Sequence, residues 1–282
     1  MLKVLQAGFF SSIQDMGRFR YQEFGVPVSG VMDSYSAKRA NAILGNNHNC
    51  AVMEITLSGP KLEFLKDTAI CITGADISPQ LNNNVISLNT PIQISKGDIL
   101  SFNKLQYGCR CYLAIVGGFQ SEKVMDSRSM ITNITQHFRI QKGDLVLFET
   151  KSYSKEINYK SIKLDASHIQ KSVLEVYKGP EFDLLTNDEQ QLLLNSEFTV
   201  APENSRMAYQ LQETLDNKLK PIITSLVLPG TVQLTPSGKL IVLMRDCQTS
   251  GGYPRVLQLS ELAINNLAQK FTNDKIAFKL IK

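Results

Sequence analysis

Thr231-Val232-Gln233-Leu234-Thr235, followed by Pro236-Ser237-Gly238 and then Leu240-Ile241-Val242-Leu243-Met244, is the stretch on which the fold turns. Two short runs of aliphatic and β-branched residues flank a Pro-Ser-Gly break, the texture of strands separated by turn chemistry. The same texture returns on both sides, at Leu2 to Gln6, Ala51 to Leu57, Ala69 to Thr73, Ile99 to Asn103, Arg110 to Val116, Leu145 to Phe148, Val173 to Lys178, Glu197 to Ala201, Ile223 to Leu228 and Ile276 to Leu280. The chain therefore reads as mainly β. Without regular strand-helix alternation, barrels or sandwiches are expected rather than a doubly wound sheet.

Few segments read as helices. Asp33 or Ser34 caps a helix through Ala37, Ala40, Ile43 and Leu44, and Gly45 follows as the residue that tolerates a left-handed stop. Thr186 or Asn187 opens Asp188 to Leu194, with acids in the first turn. Ser260 opens a third, whose Ile264, Leu267, Ala268 and Phe271 fall on one face.

At about 150 residues per domain, 282 residues suggest two domains or one large β domain. Ser, Lys, Asn and Tyr crowd 151–170, the expected linker between an N-terminal domain, 1–150, and a C-terminal domain, 171–282. Glu54 to Gly59-Pro60 in one half echoes Glu175 to Gly179-Pro180 in the other. Hydrophobic residues make up 43% and charged residues 20%, enough for a core and too little charge for wholesale disorder. The net charge of +4 is dispersed, with no basic run longer than a pair such as Lys38-Arg39, which speaks against a nucleic-acid partner. No membrane span or signal peptide is expected, because the N-terminus has no apolar core and stretches such as Pro221 to Gly238 are interrupted. Five cysteines without a C-x-x-C pair fit reduced thiols and a cytoplasmic location.

Several chemistries lack their motif. There is no P-loop and no G-x-G-x-x-G after a strand. His48, His137 and His168 stand in polar, loop-like sequence without ligand spacing, so surface positions and no metal are expected. Val28-Ser29-Gly30 lacks the two glycines of a nucleophile elbow, since Pro27 and Val31 stand in their places.

The polar sequence gathers in three clusters. Ser12 to Arg18, continuing through Tyr21-Gln22 and Gly25 to Gly30, sets Gln14, Asp15, Arg18 and Ser29 among glycines that let backbone N–H groups approach a ligand. Arg245 to Arg255 follows an apolar strand and places Asp246, Gln248 and Arg255 around Gly251-Gly252-Tyr253, a pattern suited to a small carboxylate or urea-like compound. An Arg245–Asp246 pair that merely closes a barrel mouth is the structural alternative. Ala114 to Phe119 ends at Gly117-Gly118, with Asp126-Ser127-Arg128-Ser129 behind it, while Cys109 and Cys111 alternate to one strand face as core thiols.

In this order the clusters resemble the biotin-dependent carboxyltransferase family known as allophanate hydrolase subunit 2, whose bacterial members include the C-type subunit of 5-oxoprolinase. The matching text includes Ser12 to Arg18, Gly25 to Gly30 with Met32-Asp33, Glu54 with Gly59-Pro60, Ser127-Arg128-Ser129, Ser205-Arg206-Met207, Gly230 to Gln233 and Asp246 to Arg255. The chain departs from the family at Gln136 to Arg139, ahead of Lys142-Gly143-Asp144, and at Asn204 and Ala208 around Arg206-Met207.

The resemblance implies two cyclophilin-like β-barrel domains and a site completed by a subunit 1 homologue, the B-type subunit of 5-oxoprolinase, with its A-type counterpart as a further partner. It implies ATP-dependent opening of 5-oxo-L-proline to L-glutamate by the complex, the ATP site not being evident in this chain. Alternatives are biotin-dependent carboxyl transfer to a urea-like acceptor, or non-catalytic antagonism of a histidine-kinase inhibitor. No lysine here is flanked by methionine as in biotin carriers, so no covalently attached biotin is expected. By residue type, Arg255 and Arg128 are candidates for anion binding, Asp246 and Asp15 for proton transfer or for orienting those arginines, and Gln14 and Gln248 for bonds to an amide. Arg18, Ser29, Gly30, Gly251, Gly252 and Tyr253 complete the expected substrate contacts.

Overall fold

The computed structural model describes residues 1–149 and 167–281. The chain divides into two compact units, Met1–Arg18 with Asp33–Ile169, and Phe19–Met32 with Gln170–Lys282. As far as residue 166, the expected linker 151–170 lies outside the described residues; Ser167–Gln170 is a short helix.

In the first unit one sheet runs Leu145–Val146, Leu2–Gln6, Lys61–Phe64, Ile99–Phe102, Pro79–Leu81, Asn84–Val85. The other runs Phe10–Gln14, Val52–Thr56, Tyr107–Ile115, Thr68–Asp76, Ile92–Ile94. Leu2, Val4, Leu62 and Phe64 of the first sheet and Ile55, Ile72, Leu113 and Ile115 of the second share one core. The helix Ser34–Ile43 covers the opposite face of the second sheet, where Thr73 donates to the Ser36 carbonyl and the Asp33 N–H donates to the Tyr112 hydroxyl, each at 2.8 Å. Strands buried on both faces read as unbroken apolar runs, which is why Ala69 to Thr73 and Arg110 to Val116 stand out in the sequence. Across the adjacent strands Val52–Thr56 and Tyr107–Ile115, Glu54 and Arg110 form a buried ion pair at 3.9 Å.

The second unit contains a closed barrel, Val173–Lys178, Arg255–Leu259, Thr231–Leu234, Lys239–Leu243, Ala208–Thr214, Glu197–Asn204, Lys275–Leu280, the last strand returning parallel to the first. Alternate residues such as Leu174, Val176, Val232, Leu234, Leu240 and Val242 fill it, and Met32 from the N-terminal segment joins the same core. Helix Asn187–Asn195 opens with a Thr186–Glu189 capping box, and helix Glu261–Leu267 with Ser260, whose hydroxyl accepts from the Ala263 N–H. The mainly β architecture with few short helices expected from the sequence is observed; of the two barrels expected, the second unit closes as a seven-stranded barrel, whereas the first is two sheets packed over one core.

Some details differ from expectation. The third helix ends at Leu267, and Phe271 lies past it, 37% exposed, because Gln269 and Lys270 N–H groups turn back to the carbonyls of Asn266 and Leu267. His168 is half-buried rather than on the surface: its Nε2 lies 3.2 Å from both the Asp33 carboxylate and the Ser36 hydroxyl. His48 and His137 are exposed. The Gly-Pro echo has a shared physical basis, since a Cβ at Gly59 would strike the Phe102 ring and one at Gly179 the Arg255 carbonyl. Among the described residues no helix is long and apolar enough to cross a membrane.

Candidate functional site

The expected site residues fall into two groups, one in each unit. In the first, Asp15 accepts from the hydroxyls of Ser127 and Ser129, each at 2.7 Å, and from the N–H groups of Arg128 at 2.6 Å and Gly17 at 2.9 Å. Gln14 donates to Ser12 and to the Met130 carbonyl, and the buried Arg18 donates to the Ser129 carbonyl at 2.6 Å. The Arg128 guanidinium reaches the Ser121 carbonyl and the Gln120 side chain. Gln14, Asp15 and Arg18 thus converge on one segment, 127–130, and Asp15 is its organising acceptor.

The second group is built on the strand Lys239–Leu243 and the turn after it. Asp246 receives a two-pronged bond from Arg206, Nε to Oδ2 at 2.8 Å and Nη2 to Oδ1 at 3.0 Å, and a third from the Ser29 hydroxyl at 2.7 Å. Arg206 also donates to the Gly30 carbonyl at 2.6 Å. Backbone bonds lock the three segments: the Asp246 N–H donates to the Arg206 carbonyl and the Ser29 N–H to the Arg245 carbonyl, each at 2.9 Å. Ser29 has φ +57, a left-handed backbone that a non-glycine residue holds only where the surroundings over-determine it. The side chains of Arg206 and Asp246 are 10% and 14% exposed, so the pair is nearly desolvated while keeping some solvent access.

The structural alternative, an Arg245–Asp246 pair, is not formed. Arg245 turns to Glu261 in the first turn of the last helix. Successive residues leaving a strand point to opposite sides, so neighbours in sequence take different partners. Arg206 is absent from the sequence candidates, although Ser205-Arg206-Met207 belongs to the resemblance; its partner Asp246 lies 40 residues away and no local signal joins them.

Arg255 is engaged within its own unit, donating to Glu181 from Nε at 3.0 Å and Nη2 at 2.8 Å and to the Leu226 carbonyl at 3.0 Å. The hydrogen bond from Arg255 holds the Glu181 carboxyl below its usual range. Gln248 is half-buried, Tyr253 is exposed, Gly251 belongs to a two-stranded ribbon with Ser225–Leu226, and the Gly252 carbonyl accepts from the Ile222 N–H. Thiols are poor candidates: burial pushes Cys71 and Cys247 up to about 12, and Cys111 higher. Among the described residues no three His, Cys, Asp or Glu side chains converge as a metal site.

Residues 24–280 match the family described as carboxyltransferase domain, subdomain A and B. The chain is 30% identical over 276 residues to the C-type subunit of 5-oxoprolinase from Escherichia coli, covering 95% of this chain and 87% of that protein. It is 29% identical to the corresponding 5-oxoprolinase protein of Haemophilus influenzae, over its whole length and 91% of that protein. Among solved structures, the K. lactis urea amidolyase matches all of this chain with a TM-score of 0.88 at 28% identity, but the match spans only 19% of that longer protein.

Proposed function

Because the chain belongs to the carboxyltransferase domain family, subdomain A and B, we propose that it is a catalytic-site subunit of a 5-oxoprolinase complex. The complex would open 5-oxo-L-proline to L-glutamate with ATP, alongside B-type and A-type partner subunits. The observation that carries this reading is the near end-to-end similarity to two proteins named as the C-type subunit of 5-oxoprolinase, on both chains' lengths.

ATP passes its terminal phosphoryl group to the lactam carbonyl oxygen and leaves as ADP; water then joins the carbonyl carbon, the C–N bond breaks with the ring nitrogen taking a proton, and phosphate departs, so the net change is addition of water across the lactam C–N bond. The sequence has no P-loop to cradle a triphosphate, and the Arg206 and Arg255 guanidinium groups are each already paired with a carboxylate of this chain. ATP is therefore assigned to the partner subunits, and this chain carries no step through it.

In this reading Asp246, which also accepts the Ser29 hydroxyl proton, holds Arg206 in a fixed orientation, a preorganised cation beside the oxygen on which negative charge develops. Arg206 contacts substrate, Asp246 and Ser29 position it, and Gln248 and Tyr253 of the following turn supply amide and hydroxyl contacts. Asp15 serves as a positioning residue, holding Arg128 and the 127–130 segment together with Gln14 and Arg18.

A second reading, carboxyl transfer to a urea-like acceptor, is favoured by the full-chain likeness to a urea amidolyase domain. Co-purified subunits assayed with 5-oxoproline and ATP separate the two. Glutamate release from 5-oxoproline supports the first reading; ATP-dependent carboxylation of urea by a biotin-bearing partner, without glutamate release, replaces it with the second.

A further inference from the structure

Val232 and Leu234 point into the barrel core, which turns Gln233 between them to the other face of the strand Thr231–Leu234. Gln233 is nevertheless only 2% exposed. Gly251 of the ribbon formed by Ser225–Leu226 and Ser250–Gly251 lies against its amide. A Cβ on Gly251 would stand 2.6 Å from Gln233 Nε2, so glycine at this position is what lets the ribbon close over the amide. The sealed Nε2 has no hydrogen-bond acceptor among the described residues. A desolvated donor without an acceptor works against the closed arrangement.

The ribbon itself is lightly held. It has two residues in each strand, and Ile223 and Leu226 face solvent, while Val227 at its base is buried. Its tether to the barrel includes the bond from Arg255 Nη1 to the Leu226 carbonyl. Arg255 is the cross-strand partner of Gln233, and cross-strand partners share a face. Lifting the ribbon thus uncovers Gln233 Nε2 and frees Arg255 Nη1 together, two donors on one face.

We propose that the ribbon is a flap over a binding site in the second unit, and that Gln233 Nε2, with Arg255 Nη1, binds the carbonyl or carboxylate oxygen of a small substrate once the flap lifts. The substrate class rests on the function proposed above; the flap does not. An unsatisfied donor in the closed form and a satisfied one in the bound form give the substrate the differential affinity that a conformational change requires.

The test compares wild type, Gln233→Met and Gln233→Leu, as the full chain and in the complex with its partner subunits. For whichever of 5-oxoproline and urea the wild-type complex turns over, KM should rise at least about tenfold in both variants with kcat within about twofold. The melting temperature of the chain should stay level or rise, because the substitution removes an unbonded amide. Hydrogen exchange should show the ribbon amides of Ile222 and Val227 opening faster than those of Leu234 and Leu259 in the barrel, and slowing in Gln233→Met. An unchanged KM in a folded variant overturns the proposal, as does a melting temperature several degrees lower, which would reveal Gln233 as a bonded structural residue. Ribbon exchange as slow as the barrel's overturns the flap. If the wild-type complex acts on neither compound, the proposed function fails and the exchange comparison still decides the flap.

Discussion

Asp246→Asn is the substitution on which the second-unit site stands or falls. It keeps the side chain's size but replaces one acceptor oxygen by an NH2 group and removes the charge opposite Arg206. Whichever way the amide turns, a donor then faces Arg206 Nε, now 2.8 Å from Oδ2, or both Arg206 Nη2 and the Ser29 hydroxyl, now 3.0 and 2.7 Å from Oδ1. Breaking a fully buried pair costs about 3–5 kcal/mol. The side chains here keep 10% and 14% exposure, and Asn retains one acceptor, so about 2–3 kcal/mol is expected, or a melting point lower by on the order of 10 °C. Turnover by the complex at a temperature where the variant is folded should fall at least about a hundredfold, because Arg206 and Ser29 lose their common anchor. The assay is a double-mutant cycle with Arg206→Met, read by thermal melting and by rate. A coupling energy of roughly 2 kcal/mol is expected between residues in direct contact. Coupling below about 0.5 kcal/mol, or a folded Asp246→Asn complex with unchanged rate, would refute the assignment.

Three other outcomes follow from the same contacts. Arg255 holds Glu181 below its ordinary range, so the folded form binds that proton less readily than the unfolded chain. The resulting stabilisation is present above the unfolded pKa of about 4.3 and is lost as pH falls through the lower folded value; Glu181→Gln should flatten that acid limb in melts run from about pH 7 to about pH 3. Cys71 and Cys247, with thiols pushed up to about 12 by burial, should resist alkylation at about pH 8 in the native chain and react on unfolding, whereas the half-buried Cys50 reacts first; mass spectrometry of timed labelling reads this. Glu54→Gln should destabilise the first unit by about 3 kcal/mol in denaturant titrations, because it leaves Arg110 charged and buried opposite a neutral amide.

How legible each element is depends on the range of the interactions behind it. Asp33, Thr186 and Ser260 are legible as caps because a cap bonds an N–H only three residues on. Val173–Lys178 can be read to its ends because turn residues and alternation bound it locally. Ser12 to Gln14 reads as the start of a ligand loop; in the fold it is the end of the strand Phe10–Gln14, with Ser12 and Gln14 buried beside the strand Val52–Thr56, and Gln14 finds Ser12 and Met130 as partners. Ala208–Thr214 and Arg255–Leu259 also escape a reading by pattern, because Gln210, Gln212, Arg255 and Gln258 interrupt their apolar residues.

The amino-acid sequence by itself determined the β-rich texture, the helix starts and the three polar clusters, all consequences of propensities and spacings that act over a few residues. Only the tertiary structure decided that Phe19–Met32 belongs with the C-terminal barrel, that Asp246 answers to Arg206 rather than Arg245, and that Gly251 closes over Gln233. Those choices join residues far apart in the chain, and hydrogen-bond geometry and close approach select among partners that composition leaves equivalent.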